Sequence, residues 1–304
     1  MADITPVPDA IQGLTTGTPE EMTGCAQERL QSVLSPWLVL ALFALIMFLN
    51  SHIGAWAQHE NQLWGLMLTE WGLILLPVLG ALWMTRADFR ETLGLRKFSP
   101  MQGIGAAVMA LSMFVLIAGF CTLQEQFLPS PKAQGANEAF KNLFQAGHSL
   151  TGLLALLFVM ALSPAVCEEV LFRGALLTGL RNCTRPAFAI IAVAVLFGAF
   201  HGSIYSFAPT ALLGLADTLV VWRTKVLWLG TIMHFVNNGT SALLNTGHLP
   251  RIGVEWVISA TFTMNGVYAG VLSLLIAFAG ALLGMALIEA GARKSNKAAH
   301  PSAS

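Results

Sequence analysis

Charged side chains are scarce in this sequence. They make up 11% of its 304 residues, against about 25% in a soluble globular domain. Lys and Arg balance Asp and Glu at sixteen each, so the chain has no basic excess, and we expect no nucleic-acid partner. Hydrophobic residues make up 55% of the chain and the mean hydropathy is +0.67. This composition argues against a soluble protein and indicates an integral membrane protein.

Several sequence motifs are also missing. The four cysteines form no CxxC pair, which argues against a disulfide framework and a thiolate zinc site. The HExxH motif of many zinc peptidases is absent. The first thirty residues are polar and acidic, whereas a signal peptide begins with a positive segment and an apolar core. We therefore expect residues 1–30 to form a polar cytosolic tail.

Long apolar runs, by contrast, recur along the rest of the chain. A helix of about 20 apolar residues crosses a bilayer core. Eight candidate spans lie at about 35–52, 62–84, 101–121, 150–172, 187–202, 207–222, 226–245 and 266–289. The sequence predicts an all-α fold, a polytopic membrane bundle of about eight transmembrane helices. We expect one membrane domain over 31–290, with a motif core at about 150–245, and a cytosolic tail over 291–304.

The basic residues predict the orientation of this bundle. With the N-terminus in the cytosol, only Lys132, Lys141 and Arg251 of the sixteen basic residues fall in the loops on the opposite side. Cytosolic loops carry the excess of Lys and Arg in membrane proteins. Both termini are therefore predicted to be cytosolic. The fifth and sixth spans are short, and we expect them to form a tight helical hairpin around "HGSIYSF".

The fourth span contains the unusual stretch "SPAVCEEVLFRG", with Glu168, Glu169 and Arg173. An ionisable residue at mid-bilayer costs about 2.5–3.5 kcal/mol, so such residues usually line a cavity and carry function. Glu169 and Arg173 are four residues apart and share one helix face, where they can pair. Glu168 is rotated away by about 100°. We expect the arginine to neutralise Glu169 and to leave Glu168 as a free acid or base.

Two further polar clusters follow. In "FGAFH", Phe197 and His201 are four residues apart, so the phenyl ring can pack against an imidazole suited to proton transfer or metal binding. In "HFVNN", His234 and Asn238 share a face, and the Asn amide is suited to holding an oxyanion. Counting about 1.5 Å per residue places all three clusters about 12–22 Å from the cytosol. We expect them to meet.

Other interpretations apply to single residues. The Glu-Glu-Arg cluster alone is compatible with a structural ion pair, and His234 and Asn238 alone with polar contacts between helices. His201 alone is compatible with an ordinary interhelical hydrogen bond. Two isolated acids within spans, Glu70 and Asp217, are predicted to be structural hydrogen-bond partners and not catalytic groups.

These clusters, in this order, resemble the motifs of the CPBP family, which are EExxxR, FxxxH and HxxxN or HxxxD. Here they read "EEVLFR" (168–173), "FGAFH" (197–201) and "HFVNN" (234–238). That family comprises CAAX prenyl endopeptidases of the Ras-converting type and bacteriocin-processing or abortive-infection (Abi) membrane proteases. The resemblance extends over about residues 85–245. It implies an intramembrane peptidase whose cavity opens to the cytosol.

The resemblance also implies roles for the matching residues. Glu168 would activate water with His201 as its partner. His234 and Asn238 would hold the scissile carbonyl and the oxyanion, and the Glu169–Arg173 pair would shape the site. Because members of the family are called metalloproteases, Glu168, His201 and His234 are candidate zinc ligands. Direct activation of water by Glu and His without a metal is the alternative, and the sequence leaves both open.

The substrate implied by the resemblance is a membrane-associated or prenylated peptide or protein, hydrolysed within the lipid bilayer. We expect the protein to lie in a bacterial inner membrane. A proton-coupled transporter is an alternative function, but its usual inverted repeats and broken helices are not visible in the sequence. A non-catalytic immunity or scaffold protein of the membrane is a second alternative.

Overall fold

The computed structural model describes residues 34–128, 143–145, 147–181, 183–249 and 264–299. Nine helices make up nearly all of this part: α1 (Pro36–Glu60), α2 (Gln62–Thr85), α3 (Phe89–Leu93), α4 (Pro100–Phe127), α5 (Leu150–Arg181), α6 (Pro186–Phe200), α7 (Ile204–Thr224), α8 (Leu227–Asn245) and α9 (Met264–Ala299). No strand occurs in these ranges. The all-α prediction is confirmed. The predicted tail 1–30 and the end of the tail 291–304 lie outside the described residues, and the domain division stays a prediction.

Each of the eight predicted spans coincides with a helix. Within the described ranges, six helices are long and apolar enough to cross a membrane, namely α1, α2, α4, α5, α7 and α9. Helix α6 is apolar but has 15 residues, and the 19-residue α8 carries His234 and two asparagines. The polytopic membrane bundle is therefore confirmed. The number of crossings and the cytosolic position of the termini stay predictions.

Local sequence explains where the helices begin and end. A serine side chain accepts a hydrogen bond from the first turn of α1, α4, α5 and α7, which satisfies a backbone N–H that has no partner within the helix. These serines are Ser35, Ser99, Ser149 and Ser203. Proline occupies the first turn of α1, α4 and α6, where its missing N–H costs nothing. Lys225 ends α7 in the left-handed region, with φ of 56°.

Helix α5 lies at the centre of the bundle. From Ser163 to Leu177 every residue is buried except the half-buried Val166. On one side, α5 packs with α1, α2 and α6 around Phe172, whose ring centroid lies 5.8 Å from that of Phe43 and 5.0 Å from that of Phe197. A second apolar core joins α4, α7, α8 and α9. The polar residues of α5 lie where these two groups of helices meet.

Two local features position the site. Helices α6 and α7 form the predicted hairpin, and they pack so closely that a Cβ on Gly198 would lie 2.7 Å from the carbonyl oxygen of Phe207. Helix α5 contains two π-helical stretches, Phe158–Leu162 and Val170–Leu176, on either side of Ser163–Glu169. Helix α2 contains a third, Leu68–Leu75, and helix α1 a fourth, Asn50–Gly54. Such stretches are rare and concentrate at functional sites.

Candidate active site

The three predicted clusters line one cavity of about 100 Å³. Helix α5 contributes Glu168, α6 contributes Phe197 and the following His201, and α8 contributes His234 and Asn238. The other lining residues come from α4, α7 and α8, and they are Ala110, Met113, Thr210, Leu213, Asp217, Met233 and Asn237. The predicted convergence of the clusters is therefore confirmed.

Glu169 and Arg173 form the predicted ion pair. Arg173 donates from Nη1 to Glu169 Oε1 over 2.5 Å, and both side chains are fully buried. A buried ion pair offsets its loss of hydration only when the remaining donors also find partners. Arg173 meets this condition, because Nε donates to Thr218 Oγ1 at 3.3 Å and Nη2 to the Gly214 carbonyl at 3.0 Å. The pair is thus an integral part of the contact between α5 and α7.

Asp217 is a member of the site that the sequence did not reveal. Its Oδ2 lies 3.9 Å from Arg173 Nη2, so it is a second, longer ion-pair partner of that arginine. Its side chain is buried and also lines the cavity. The contact with Arg173 agrees with the predicted structural role. In the sequence Asp217 is only an isolated acid within a span. Its distance from Arg173 depends on how α7 packs against α5, which the sequence does not reveal.

Glu168 is buried but, unlike Glu169, is not neutralised. It is 6% exposed, and its Oε2 has no hydrogen-bond partner among the described residues. Its nearest cationic atom in the described part is His234 Nε2, at 4.0 Å. That separation is too long for a direct hydrogen bond, and it is one at which a bridging water molecule is expected. The prediction of one neutralised and one free glutamate is confirmed.

The partners of the two histidines show that each Nδ1 carries a proton. His234 Nδ1 lies 3.1 Å from Glu169 Oε1, and His201 Nδ1 lies 2.9 Å from the Phe197 carbonyl. A carboxylate and a carbonyl can only accept, so each Nδ1 carries the proton and donates it. The Nε2 atom of each ring is then the one available for chemistry. His234 is buried, whereas His201 is exposed.

One phenyl ring packs against both imidazoles. The Phe197 centroid lies 5.1 Å from that of His201 and 5.8 Å from that of His234, in edge-on arrangements. Arg173 Cζ lies 4.5 Å from the same centroid, within the range of a cation–π contact. The predicted packing of Phe197 on His201 is confirmed. The other two contacts cross between helices and could not be deduced from spacing along the chain.

Glu70 departs from its prediction. It was expected to be a structural hydrogen-bond partner, yet it is buried and its Oε2 has no partner among the described residues. It lies in the π-helical stretch of α2, which packs on α5, close enough for its charge to interact with that of Glu168. The expected hydrogen bond is missing at this oxygen, so Glu70 is a buried carboxyl group that the fold leaves unsatisfied.

A glycine on α8 makes room for the ion pair. A Cβ on Gly230 would lie 2.6 Å from Glu169 Oε2 and 2.9 Å from a methyl group of Val221. Real side chains do not approach so closely, so α8 can lie against Glu169 only because position 230 has no side chain. This close approach brings His234, one turn along α8, to Glu169.

The spacing of the candidate donor atoms bears on the predicted zinc site. Zinc ligands lie about 2.0–2.3 Å from the ion, so their donor atoms are close neighbours. The group of described residues with ligand atoms within 4.8 Å of one another is Glu169, Asp217 and His234, and not the predicted Glu168, His201 and His234. Arg173 already supplies the positive charge to that compact group. The compact group thus shares only His234 with the predicted ligands, and the zinc prediction stays a prediction.

A family model agrees with these residues. The model described as Rce1-like, type II CAAX prenyl endopeptidase, matches residues 150–240. The predicted family resemblance is confirmed over this segment. The matched segment contains all six predicted site residues. It also covers the whole of α5, α6 and α7. No curated protein and no solved structure matches the chain. The match implies a protease, and the six apolar helices make it an integral membrane protein.

Proposed function

We propose that this chain is an intramembrane endopeptidase that hydrolyses a peptide bond of a membrane-associated or prenylated peptide or protein. Glu168 is its general base, His201 is the partner of Glu168, and His234 and Asn238 hold the oxyanion. The family match at residues 150–240 supports the reaction class. The residue roles rest on the arrangement of side chains around the cavity.

The observation that carries this proposal is the contrast between two adjacent carboxylates. Glu169 Oε1 is neutralised by the guanidinium of Arg173, whereas Glu168 has no arginine or lysine partner among the described residues and its buried Oε2 has no hydrogen-bond partner there. A carboxylate that faces a cavity in a dry environment is a strong acceptor for a proton of water. Placing this group beside two imidazoles and two Asn amides suits hydrolysis.

The first step is attack of water on the scissile carbonyl. Glu168 takes one proton from the water, while His201 Nε2 accepts a hydrogen bond from its other hydrogen and so orients it. The water oxygen forms a bond to the carbonyl carbon, and the carbonyl π electrons move to its oxygen. This oxyanion is held by the second N–H of Asn238 and by Nε2 of His234 in its doubly protonated form, with Glu169 as counter-ion at Nδ1.

The second step is collapse of the tetrahedral intermediate. The oxyanion reforms the carbonyl, the C–N bond breaks, and Glu168 returns its proton to the leaving nitrogen. Glu168 is thus a base in the first step and an acid in the second. All atoms balance with water as the only co-reactant. A zinc ion, if bound by Glu168, His201 and His234, would supply a Lewis acid, but no step above requires it.

We further propose that the cavity opens to the cytosol of a bacterial inner membrane, in line with the orientation that the basic residues predict. Arg96, Arg181 and Lys225 line a second cavity at the ends of α5 and α7, where the positive-inside rule places the cytosol. A prenylated protein reaches the membrane from that side. The proposed substrate is therefore a protein anchored at the cytosolic surface.

The test is cleavage of a fluorogenic prenylated peptide by the purified full chain in nanodiscs. In Glu168→Gln, which keeps the size of the side chain but removes the base, kcat is expected to fall about 10²–10⁴-fold. Thermal unfolding should stay within a few degrees of wild type. The same peptide without the prenyl group measures the contribution of the lipid.

Glu60→Gln is the matched control, because Glu60 is an exposed glutamate at the end of α1, with its side chain 64% exposed. It should cleave at the wild-type rate. Wild-type protein that cleaves at a rate independent of Glu168 would overturn the residue assignment. A folded wild type that cleaves neither peptide, but moves protons across vesicles, would favour the transporter instead.

A further inference from the structure

Asn237 is a cavity residue to which the sequence assigned no role. It precedes Asn238 on α8, and both side chains line the cavity. Asn237 Nδ2 lies 3.2 Å from Asn238 Oδ1, and Asn238 Nδ2 lies 3.2 Å from the carbonyl oxygen of Met160 on α5. The Asn238 amide is therefore held on both sides, by Asn237 at its oxygen and by Met160 at its nitrogen.

The direction of these hydrogen bonds follows from chemistry. The oxygen and nitrogen of an Asn amide are distinguished by their partners. A backbone carbonyl can only accept, so the atom of Asn238 that faces Met160 must be the NH₂ group. The Asn238 oxygen is then on the other side, where it needs a donor. Asn237 supplies that donor from its own NH₂ group.

The backbone of α5 supplies the acceptor. Met160 lies in the π-helical stretch Phe158–Leu162, and the residue four positions further on is Pro164, which has no N–H to donate to the Met160 carbonyl. Its carbonyl is thereby available to a side chain from a neighbouring helix. Helix α8 packs on this stretch, which brings Asn238 within reach. The anchor of Asn238 thus depends on a backbone feature that no side-chain motif records.

We propose that Asn237 is a positioning residue that holds the Asn238 amide together with the Met160 carbonyl, so that an N–H and not the carbonyl oxygen of Asn238 meets the oxyanion. This inference rests on the proposed function. One hydrogen of Asn238 Nδ2 is used by Met160, and the other remains for the substrate. Without Asn237, the Asn238 oxygen loses its donor and the amide is held by Met160 alone, so its second N–H is aimed less precisely at the developing negative charge.

The test combines kinetics with a double-mutant cycle, using the full chain in nanodiscs and the fluorogenic prenylated peptide. Asn238→Ala removes the donor, and kcat is expected to fall about 10²–10³-fold. Asn237→Leu keeps the branched shape of the side chain but removes the hydrogen bond, and kcat is expected to fall about 10-fold with KM unchanged. In the Asn238→Ala background, Asn237→Leu should cause almost no further loss, because the group it positions is gone.

The control is Asn245→Leu, the same substitution near the end of α8 at a residue that bonds locally to Ser241. It should leave kcat at the wild-type value. The inference is overturned if Asn237→Leu keeps kcat within about twofold of wild type, or if its loss is the same in both backgrounds. The second result would mean that Asn237 acts independently of Asn238.

A readout without substrate separates this inference from the proposed function. Selective ¹⁵N labelling of asparagine gives side-chain NH₂ signals, and those of Asn238 are identified by their loss in Asn238→Ala. Asn237→Leu should shift the Asn238 signals, whereas Asn245→Leu should not. Unshifted Asn238 signals would overturn the inference. If wild type cleaves no peptide while the shift is present, the proposed function fails and the hydrogen bond stands.

Discussion

Glu168 and Glu169 are neighbours in the chain but lie in opposite surroundings. Glu169 belongs to a network with Arg173, in which the donors of the guanidinium group reach Glu169 Oε1, Thr218 and Gly214, although Glu169 Oε2 has no hydrogen-bond partner among the described residues. We call this network the ion-pair side. Glu168 belongs to the cavity side, with His201 and Asn238, where its Oε2 has no hydrogen-bond partner among the described residues.

The difference shows that two adjacent residues of one membrane helix can have different roles, one in the contacts between helices and one in the cavity. The ion-pair side joins α5 to α7 and α8, so we expect it to determine stability. The cavity side leaves polar atoms unsatisfied, which costs stability but keeps them free for a substrate. Substitutions on the ion-pair side should therefore lower the free energy of unfolding. Substitutions on the cavity side should lower the rate of peptide cleavage.

The largest effect on stability is expected from Arg173→Leu. This change leaves the buried Glu169 and Asp217 without their cation, and breaking a buried ion pair in this way costs about 3–5 kcal/mol. The free energy of unfolding in detergent, followed by circular dichroism, measures the loss. Arg223→Leu is the control, because its pair with Glu289 is partly exposed and contributes at most about 1 kcal/mol. Equal losses would contradict the separation of the two sides.

A smaller effect is expected from Gly230→Ala. The new methyl group must push Glu169 away, since its Cβ would lie 2.6 Å from Oε2, and overpacking of this kind costs about 1–3 kcal/mol. Activity should fall as well, because His234 loses the position of its Nδ1 partner. Thermal unfolding and peptide cleavage measure the two effects.

Gly239→Ala, two turns further along α8, is the matched control. The nearest atoms to its Cβ lie 3.9 and 4.0 Å away, which is ordinary contact. Because alanine favours a helix over glycine, this variant should be as stable as wild type or more stable, by up to about 1 kcal/mol. A loss as large as that of Gly230→Ala would mean that the α8 backbone, and not the contact with Glu169, is responsible.

A gain in stability is expected from Glu70→Gln. The buried carboxyl of Glu70 has an oxygen without a partner among the described residues and interacts with the charge of Glu168. Removing one of two buried acids relieves their repulsion, and we expect unfolding to become harder by about 1 kcal/mol. The exposed Glu60→Gln should change nothing. A Glu70→Gln variant that unfolds more easily than wild type would show that Glu70 has a partner outside the described residues.

The smallest effect is expected from removal of metal ions. The proposed steps need water alone, and the predicted zinc ligands are not the most compact group of donor atoms among the described residues. Cleavage of the fluorogenic peptide after treatment with a chelator should therefore stay within about twofold of the untreated rate. Loss of activity on chelation, with recovery when zinc is added, would instead support the predicted zinc ligands Glu168, His201 and His234.

Periodicity within a helix predicted a large part of this site. The spacing of four residues placed Glu169 beside Arg173 and Phe197 beside His201, because an α-helix repeats every 3.6 residues. Periodicity could not predict contacts between different helices. The approach of Asp217 to Arg173, and of His234 to Glu169, depends on how α7 and α8 rotate and pack against α5. A single chain does not encode those rotations in any local pattern.

The fold was predictable for a related reason. A stretch of apolar residues long enough to cross a bilayer can satisfy its backbone only as a helix, so hydropathy alone predicted the eight helical segments. Hydropathy could not predict the π-helical stretches in α2 and α5. Glu70 lies in one of these stretches. It was expected to have a hydrogen-bond partner, but its Oε2 has none among the described residues.

The π-helical stretches of α5 change the number of residues per turn on either side of Ser163–Glu169. A π turn holds about one residue more than an α turn, and each residue of an α-helix adds about 100° of rotation. Deleting one residue between 158 and 162 would therefore convert the π turn into an α turn and leave Ser163–Glu169 at about the same angle, so that Glu168 still faces the cavity. The same deletion in a regular α-helical part of α5 would instead turn the following residues by about 100°.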